Sequence, residues 1–172
     1  MADPTDESKN YDWSRFELRI DVKCNIEDAY QAWATKQGLE KWFLRKANFT
    51  NSGLAVGPAD YVHKGDEYEW YWFGWSDEMV EKGTILEANG KDLLRFVFGN
   101  AGEVSIRIFP EKDIMIVELR QEKIPLENNG QVNFHLGCSK GWVFYLANLK
   151  SILEGGIDLR NKNDQLKNVI NS

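Results

Sequence analysis

His135, Cys138 and Ser139 bring an imidazole, a thiol and a hydroxyl within five residues of chain. On a helix, residues three apart share a face, so His135 and Cys138 fit a base and a nucleophile. They equally fit polar groups that orient a bound ligand. They also fit a satisfied structural histidine beside a buried thiol acting as a small hydrophobe. No acid is positioned nearby in sequence to orient the imidazole, and the spacing leaves these readings open. A second concentration of functional side chains is the run Tyr68-Glu-Trp70-Tyr-Trp72-Phe-Gly-Trp75. In a strand Tyr68, Trp70 and Trp72 share one face, and Tyr71 and Phe73 share the other with Glu69. One reading is packing on both faces. The other has Trp70 and Trp72 walling an apolar cavity, with Trp42 and Trp142 facing them from helices.

Other chemistries lack their patterns. His63 and His135 are the only histidines, far apart and without Cys-x-x-Cys or His-Glu-x-x-His spacing, so no metal site is expected. Gly99-Asn-Ala-Gly102 is too short for a phosphate loop and joins strands, so no nucleotide cofactor is expected. Glu67 and Glu69 alternate with aromatics as a solvated strand face does.

These residues must be held by a recognisable order of elements. Phe134 to Glu154 reads as a helix, because Trp142, Leu146, Leu149 and Leu153 recur at gaps of four and three. Cys138, Ser139 and His135 continue that face, making its first half the more polar, and Gly155-Gly156 ends it. Arg15 to Lys23 alternates as a strand with one wet face. Asn25 caps a helix that runs through Thr35, with Asp28 closing a capping box. A second short helix follows over Gln37 to Phe43. Residues 44–64 carry no clear period, and Asn48 to Pro58 reads as loop. Strands are expected over Asp66 to Trp75, Glu81 to Ala88, Leu93 to Phe98, Glu103 to Phe109 and Ile114 to Lys123. Asn89-Gly90 and Pro110-Glu111-Lys112 stand among the intervening turns.

The bulk numbers narrow the class. The chain has 172 residues, a net charge of −6, and 7 Trp, 6 Tyr and 9 Phe. The acidic balance argues against a reader of nucleic-acid backbones. No apolar stretch is long enough to span a membrane, and the N-terminus lacks a signal pattern. A cytoplasmic protein with two reduced cysteines, Cys24 and Cys138, is expected. Residues 1–12 read as an acidic arm, 13–160 as one domain and 161–172 as a polar tail.

A strand, two short helices, an antiparallel meander and one long helix resemble the helix-grip fold of the START-like (SRPBCC) superfamily. Within it the chain is similar to the domain named for the activator of heat shock protein 90 ATPase. Asn25 to Phe43 with its closing Trp42-Phe43, Ile116 to Gln121 followed by Ile124-Pro125, and His135 to Arg160 carry the resemblance. It implies an α+β fold, a curved antiparallel sheet wrapped around the C-terminal helix, with a cavity between them. In the superfamily such cavities hold lipids, hormones or polyketides, and a few members are enzymes. In the eukaryotic namesake this domain is half of a co-chaperone, and the half gripping the chaperone lies N-terminal to it, for which this chain leaves no room.

The expectation is a non-enzymatic domain that captures a small apolar or amphipathic ligand. Its site residues are Trp42, Trp70, Trp72, His135, Cys138 and Trp142, with no catalytic residue and no cofactor. The alternatives are a chaperone-associated interaction domain, with a chaperone as partner and a role in stress response, and a small cyclase- or hydrolase-type enzyme.

Overall fold

Phe16, Leu18 and Ile20 alternate with Glu17, Arg19 and Asp21, and the segment forms strand β1 (Phe16–Val22). Asn25 then caps helix α1 (Ile26–Ala34), its side chain accepting from Asp28 N at 2.7 Å and donating to the Asp28 carboxylate at 2.9 Å. Thr35 ends α1 and caps α2 (Lys36–Trp42) by accepting from Gly38 N at 2.9 Å. The molecule is a computed structural model describing residues 11–166, 169 and 170. Most of the expected acidic arm, and part of the polar tail, lie outside those residues.

Strands β2 (Lys46–Asn51), β3 (Leu54–Ala55), β4 (Glu67–Tyr71), β5 (Glu81–Ala88), β6 (Leu93–Val97), β7 (Glu103–Glu111) and β8 (Ile114–Glu122) complete one antiparallel sheet. Its order is β1-β8-β7-β6-β5-β4-β2-β3. A register shift between Ile85 and Glu87 marks a bulge, which adds local twist to the curving sheet. The chain then enters a π-helical segment (Gln131–Leu136) that runs directly into helix α3 (Gly137–Leu153). Trp142, Leu146 and Leu149 of α3 are buried in the same core as Val104, Ile106, Val117 and Leu119 of the sheet. The α+β helix-grip arrangement expected from the element order is the observed one.

The C-terminal end of α2 is closed by side chains from the other end of the chain. Gly155, at φ +78°, terminates α3, and the following residues return across α2. Arg160 donates to Leu44 O (2.9 Å), Lys41 O (2.9 Å) and Glu40 O (3.1 Å), and pairs with Asp158 at 2.7 Å. Asn148 of α3 donates to Trp42 O at 2.6 Å. Two side chains thus satisfy the carbonyls that a helix end leaves without partners.

Several local expectations are corrected. Residues 46–55 are the β2–β3 hairpin rather than loop, with Ala47 and Phe49 on the buried face. Ser52 (φ +49°) and Gly53 (φ +82°) make its tight turn. The β7–β8 turn is Lys112-Asp113, both at positive φ, and Pro110 stays in β7 opposite Met115. That is tolerated because the β6–β7 ladder stops at the Leu93–Arg107 pair, so β7 is an edge where Pro110 stands. At Asn89-Gly90 only glycine takes positive φ. Asn89 instead folds its side chain over the loop, its carbonyl accepting from the backbone of Lys91, Asp92 and Leu93, each at 3.0 Å.

Candidate functional site

Four of the six expected site residues meet around a residue outside that set. The Phe43 ring stacks on Trp42 (5.2 Å between centroids) and Trp142 (5.0 Å). It also meets Trp70 (5.6 Å), Trp72 (5.8 Å) and Tyr145 (4.8 Å) edge-on. Trp42, Trp70 and Trp142 are almost wholly buried, and Phe96 and Phe98 continue the contact through Trp70 and Trp142. Their indole N–H groups are treated differently. Trp42 Nε1 donates to Ala32 O and Trp142 Nε1 to Gln121 Oε1, both at 2.9 Å. Trp70 Nε1 has no hydrogen-bond partner among the described residues.

His135 lies apart from this cluster. Its Nδ1 donates to Trp13 O at 2.8 Å, so Nε2 is the acceptor for the Tyr11 hydroxyl at 3.0 Å. The rings of Tyr11, Trp13 and Phe16 surround it edge-on at 5.1–5.4 Å. The π-helical segment explains the divergence: its wider turn changes the angular spacing, so the α-helical face of Trp142 does not project back onto His135. Cys138 is partly buried and hydrogen-bonds to Gln121. Burial, reinforced by the Glu81 carboxylate, holds its thiol above the ordinary cysteine value, opposite to what a nucleophile requires. With both imidazole nitrogens engaged elsewhere, His135 has no lone pair free for Cys138.

Trp72 reaches the rim, and there the packing opens. A groove of about 370 Å³ is lined by Trp72, Trp75, Glu78, Met79, Val80, Glu81 and Tyr145. Trp75 is 50% and Met79 56% exposed, so apolar surface faces solvent at its edge. Glu81 opens β5 directly across from Trp70, on the parity that carries Gly83 and buried Ile85 into the core. Its carboxyl lies over Gly99, where any side chain would overlap it, and Gly99 is held at φ +46°. Gly83 leaves the matching space for the Tyr68 phenol, which donates to Val97 O at 2.6 Å. Burial pushes the Glu81 carboxyl above the ordinary glutamate value, and pushes the Tyr145 phenol up to about 12.

Phe43, Trp75, Met79, Glu81 and Tyr145 were not among the residues expected from sequence. Glu81 had a signal: it occupies the same strand face as Ile85, where an apolar residue is the rule. Among the described residues no group of His, Cys, Asp and Glu could hold a metal ion, and no helix is long and apolar enough to cross a membrane.

The comparisons with known proteins agree with this architecture. A Staphylococcus saprophyticus protein, SSP2350, shares the fold at a TM-score of 0.65 and 17% identity, over 85% of this chain and 96% of its own. The Aha1 dimer from Colwellia psychrerythraea gives 0.62 and 20%, over 83% and 97%. CalU16 from Micromonospora echinospora gives 0.58 and 15%, over 84% and 77%. No curated protein matches the chain in sequence. The profile of the family described as Activator of Hsp90 ATPase homolog 1-like protein matches residues 23–154, a span that takes in α1, α2, the sheet from β2 to β8 and the whole of α3. The chain therefore belongs to the Activator of Hsp90 ATPase homolog 1-like family.

Proposed function

We propose that the protein reversibly captures a small apolar or amphipathic molecule in the groove between Trp72 and Tyr145. The observation that carries this reading is the groove itself: about 370 Å³, walled by Trp72, Trp75, Met79, Val80 and Tyr145. That volume is within the range of small-molecule sites, and apolar walls with a few polar groups are their usual chemistry. Burying about 200 Å² of ligand at about 25 cal/mol/Å² contributes about 5 kcal/mol, a submillimolar affinity before any polar contact. Of the six residues expected from sequence, Trp72 lines this groove. Trp42, Trp70 and Trp142 support it from behind through Phe43.

The test is Trp72→Ala with a fluorescent apolar probe. The variant is expected to fold, because Trp72 is at the rim, and to lose affinity for the probe. Unchanged affinity in a folded variant removes the groove as the site.

A second reading, a chaperone-associated interaction domain, has one supporting feature besides the family name. Val132 (61% exposed), Leu136 (42%) and Val143 (57%) form an apolar stripe on the outer side of the π-helical segment and α3. It predicts that the protein changes the ATPase rate of an Hsp90-type chaperone, and that Leu136→Glu with Val143→Glu abolishes the change. A rate indifferent to the protein removes this reading.

A further inference from the structure

Several carboxylates that face outward on neighbouring strands are paired. Glu69 meets Lys82 at 2.7 Å, Glu103 meets Lys123 at 2.6 Å and Arg95 at 3.1 Å, and Glu87 meets Arg95 at 3.4 Å. Glu81, on the inner face of the same sheet, has no such cation: its carboxyl accepts from the Lys82 backbone N–H, and among the described residues no Lys, Arg or His side chain pairs with it. A half-buried carboxylate without a cation is costly to keep. Here it is accommodated by the gap at Gly99 and left at the inner end of an apolar groove.

The rest of the lining has one electrostatic character. Glu78 supplies a second carboxyl at the rim, and among the described residues no Lys, Arg or His lines the groove. Arg45 donates to Trp72 O at 3.3 Å and is held by Asp77, and Arg160, whose charge reaches the Tyr145 phenol, is held by Asp158. The walls include the rings of Trp72, Trp75 and Tyr145, and aromatic faces attract cations.

Building on the ligand-capture reading above, we propose that the molecule taken by this groove is an amphipathic cation. Its positively charged head sits at the Glu81 carboxylate and its apolar body lies against Trp72, Trp75 and Tyr145. A bound cation supplies the counter-charge that Glu81 lacks, whereas a fatty-acid-like anion would meet two carboxylates and, among the described lining residues, no base. Desolvation already holds Glu81 above its ordinary value, and a cationic head reverses that effect by favouring the ionised form. The Tyr68 phenol and the Cys138 thiol both feel this carboxyl, and Glu78 and the Tyr145 phenol stand elsewhere in the lining. Burial raises Tyr68, Cys138 and Tyr145, so Glu81 ionises before them as pH rises.

The experiment titrates the full chain with three probes of one chain length, octyltrimethylammonium, octanol and octyl sulfate, by calorimetry below their micellar concentrations. The cation is expected to bind about tenfold or more tighter than the alcohol, as one desolvated charge contact warrants, and the sulfate weakest. Glu81→Gln, which keeps the shape of the side chain, is expected to bring the cation down to the affinity that the same variant shows for the alcohol. Lowering the pH in the wild type is expected to weaken the cation alone. Equal affinity for cation and alcohol, a preference for sulfate, or a cation preference that survives Glu81→Gln overturns the inference while ligand capture stands. Absence of binding by all three, or binding indifferent to Trp72→Ala, overturns both.

Discussion

Trp142 Nε1 donates to Gln121 Oε1 at 2.9 Å, and the Gln121 amide donates in turn to Ala101 O at 2.8 Å, all three groups buried. One glutamine thereby joins the long helix to strand β8 and to the loop between β6 and β7. Cys138 hydrogen-bonds to the same side chain, so the polar half of α3 is anchored here. Gln121→Leu keeps the volume but strands the indole N–H and the Ala101 carbonyl. The expected cost is about 1–3 kcal/mol, read as a lower denaturant midpoint with unchanged slope. A variant as stable as wild type would mean that water replaces the amide.

Arg160 should be among the most sensitive positions outside the aromatic core. Its side chain is 2% exposed and donates to three carbonyls at the end of α2 while pairing with Asp158. Arg160→Ala removes one partner of a buried pair and uncaps α2, for an expected loss of about 3 kcal/mol or more in chemical denaturation. Arg160→Lys should recover little of it, because an ammonium cannot reproduce the planar fork. Full recovery by lysine would show that charge alone matters.

Asp158 makes that contact pH-dependent. Burial acts to raise its carboxyl, but hydrogen bonds from Arg160 and Lys162 outweigh this and hold it well below the usual carboxylate range. A folded value depressed below the unfolded one stabilises the fold above the unfolded value, and the stabilisation is lost as pH falls through the folded value. The melting temperature of wild type is therefore expected to drop relative to Asp158→Asn as the solution is acidified below the ordinary aspartate range. Parallel curves would show that Asp158 titrates alike in the folded and unfolded chain.

Glu81 carries the opposite sign. Burial raises its folded value above the unfolded one, so the stability it allows is complete in acid and lost as pH rises through the folded value. Glu81→Gln is accordingly expected to melt higher than wild type at neutral pH and to match it in acid. A less stable Glu81→Gln at neutral pH would reveal a partner for the carboxylate. The expected gain has the form of a binding site that keeps a destabilising charge for its ligand.

Much of the fold was legible from period and punctuation. The alternation in β1, the Asn25 cap, the strands from β5 to β8 and the Gly155 stop are local, because each depends on residues within one or two turns of one another. The β2–β3 hairpin escaped because its strands are short and its turn is Ser52-Gly53 rather than the stronger Asn-Gly. The site was less legible. Trp42, Trp70, Trp72 and Trp142 do gather, but through Phe43, which the sequence marks only as the end of the second short helix.

Outside residues 44–64, the amino-acid order alone settled most of the helices and strands and their apolar faces, since those follow from backbone geometry repeating every few residues. Which carboxyl would stand without a cation was decided only in three dimensions. Pairing of β4 with β5 put Glu81 opposite Trp70, Gly99 left it room, and the π-helical turn carried His135 away to Trp13. Those outcomes depend on contacts between residues distant in the chain, and no local period encodes them.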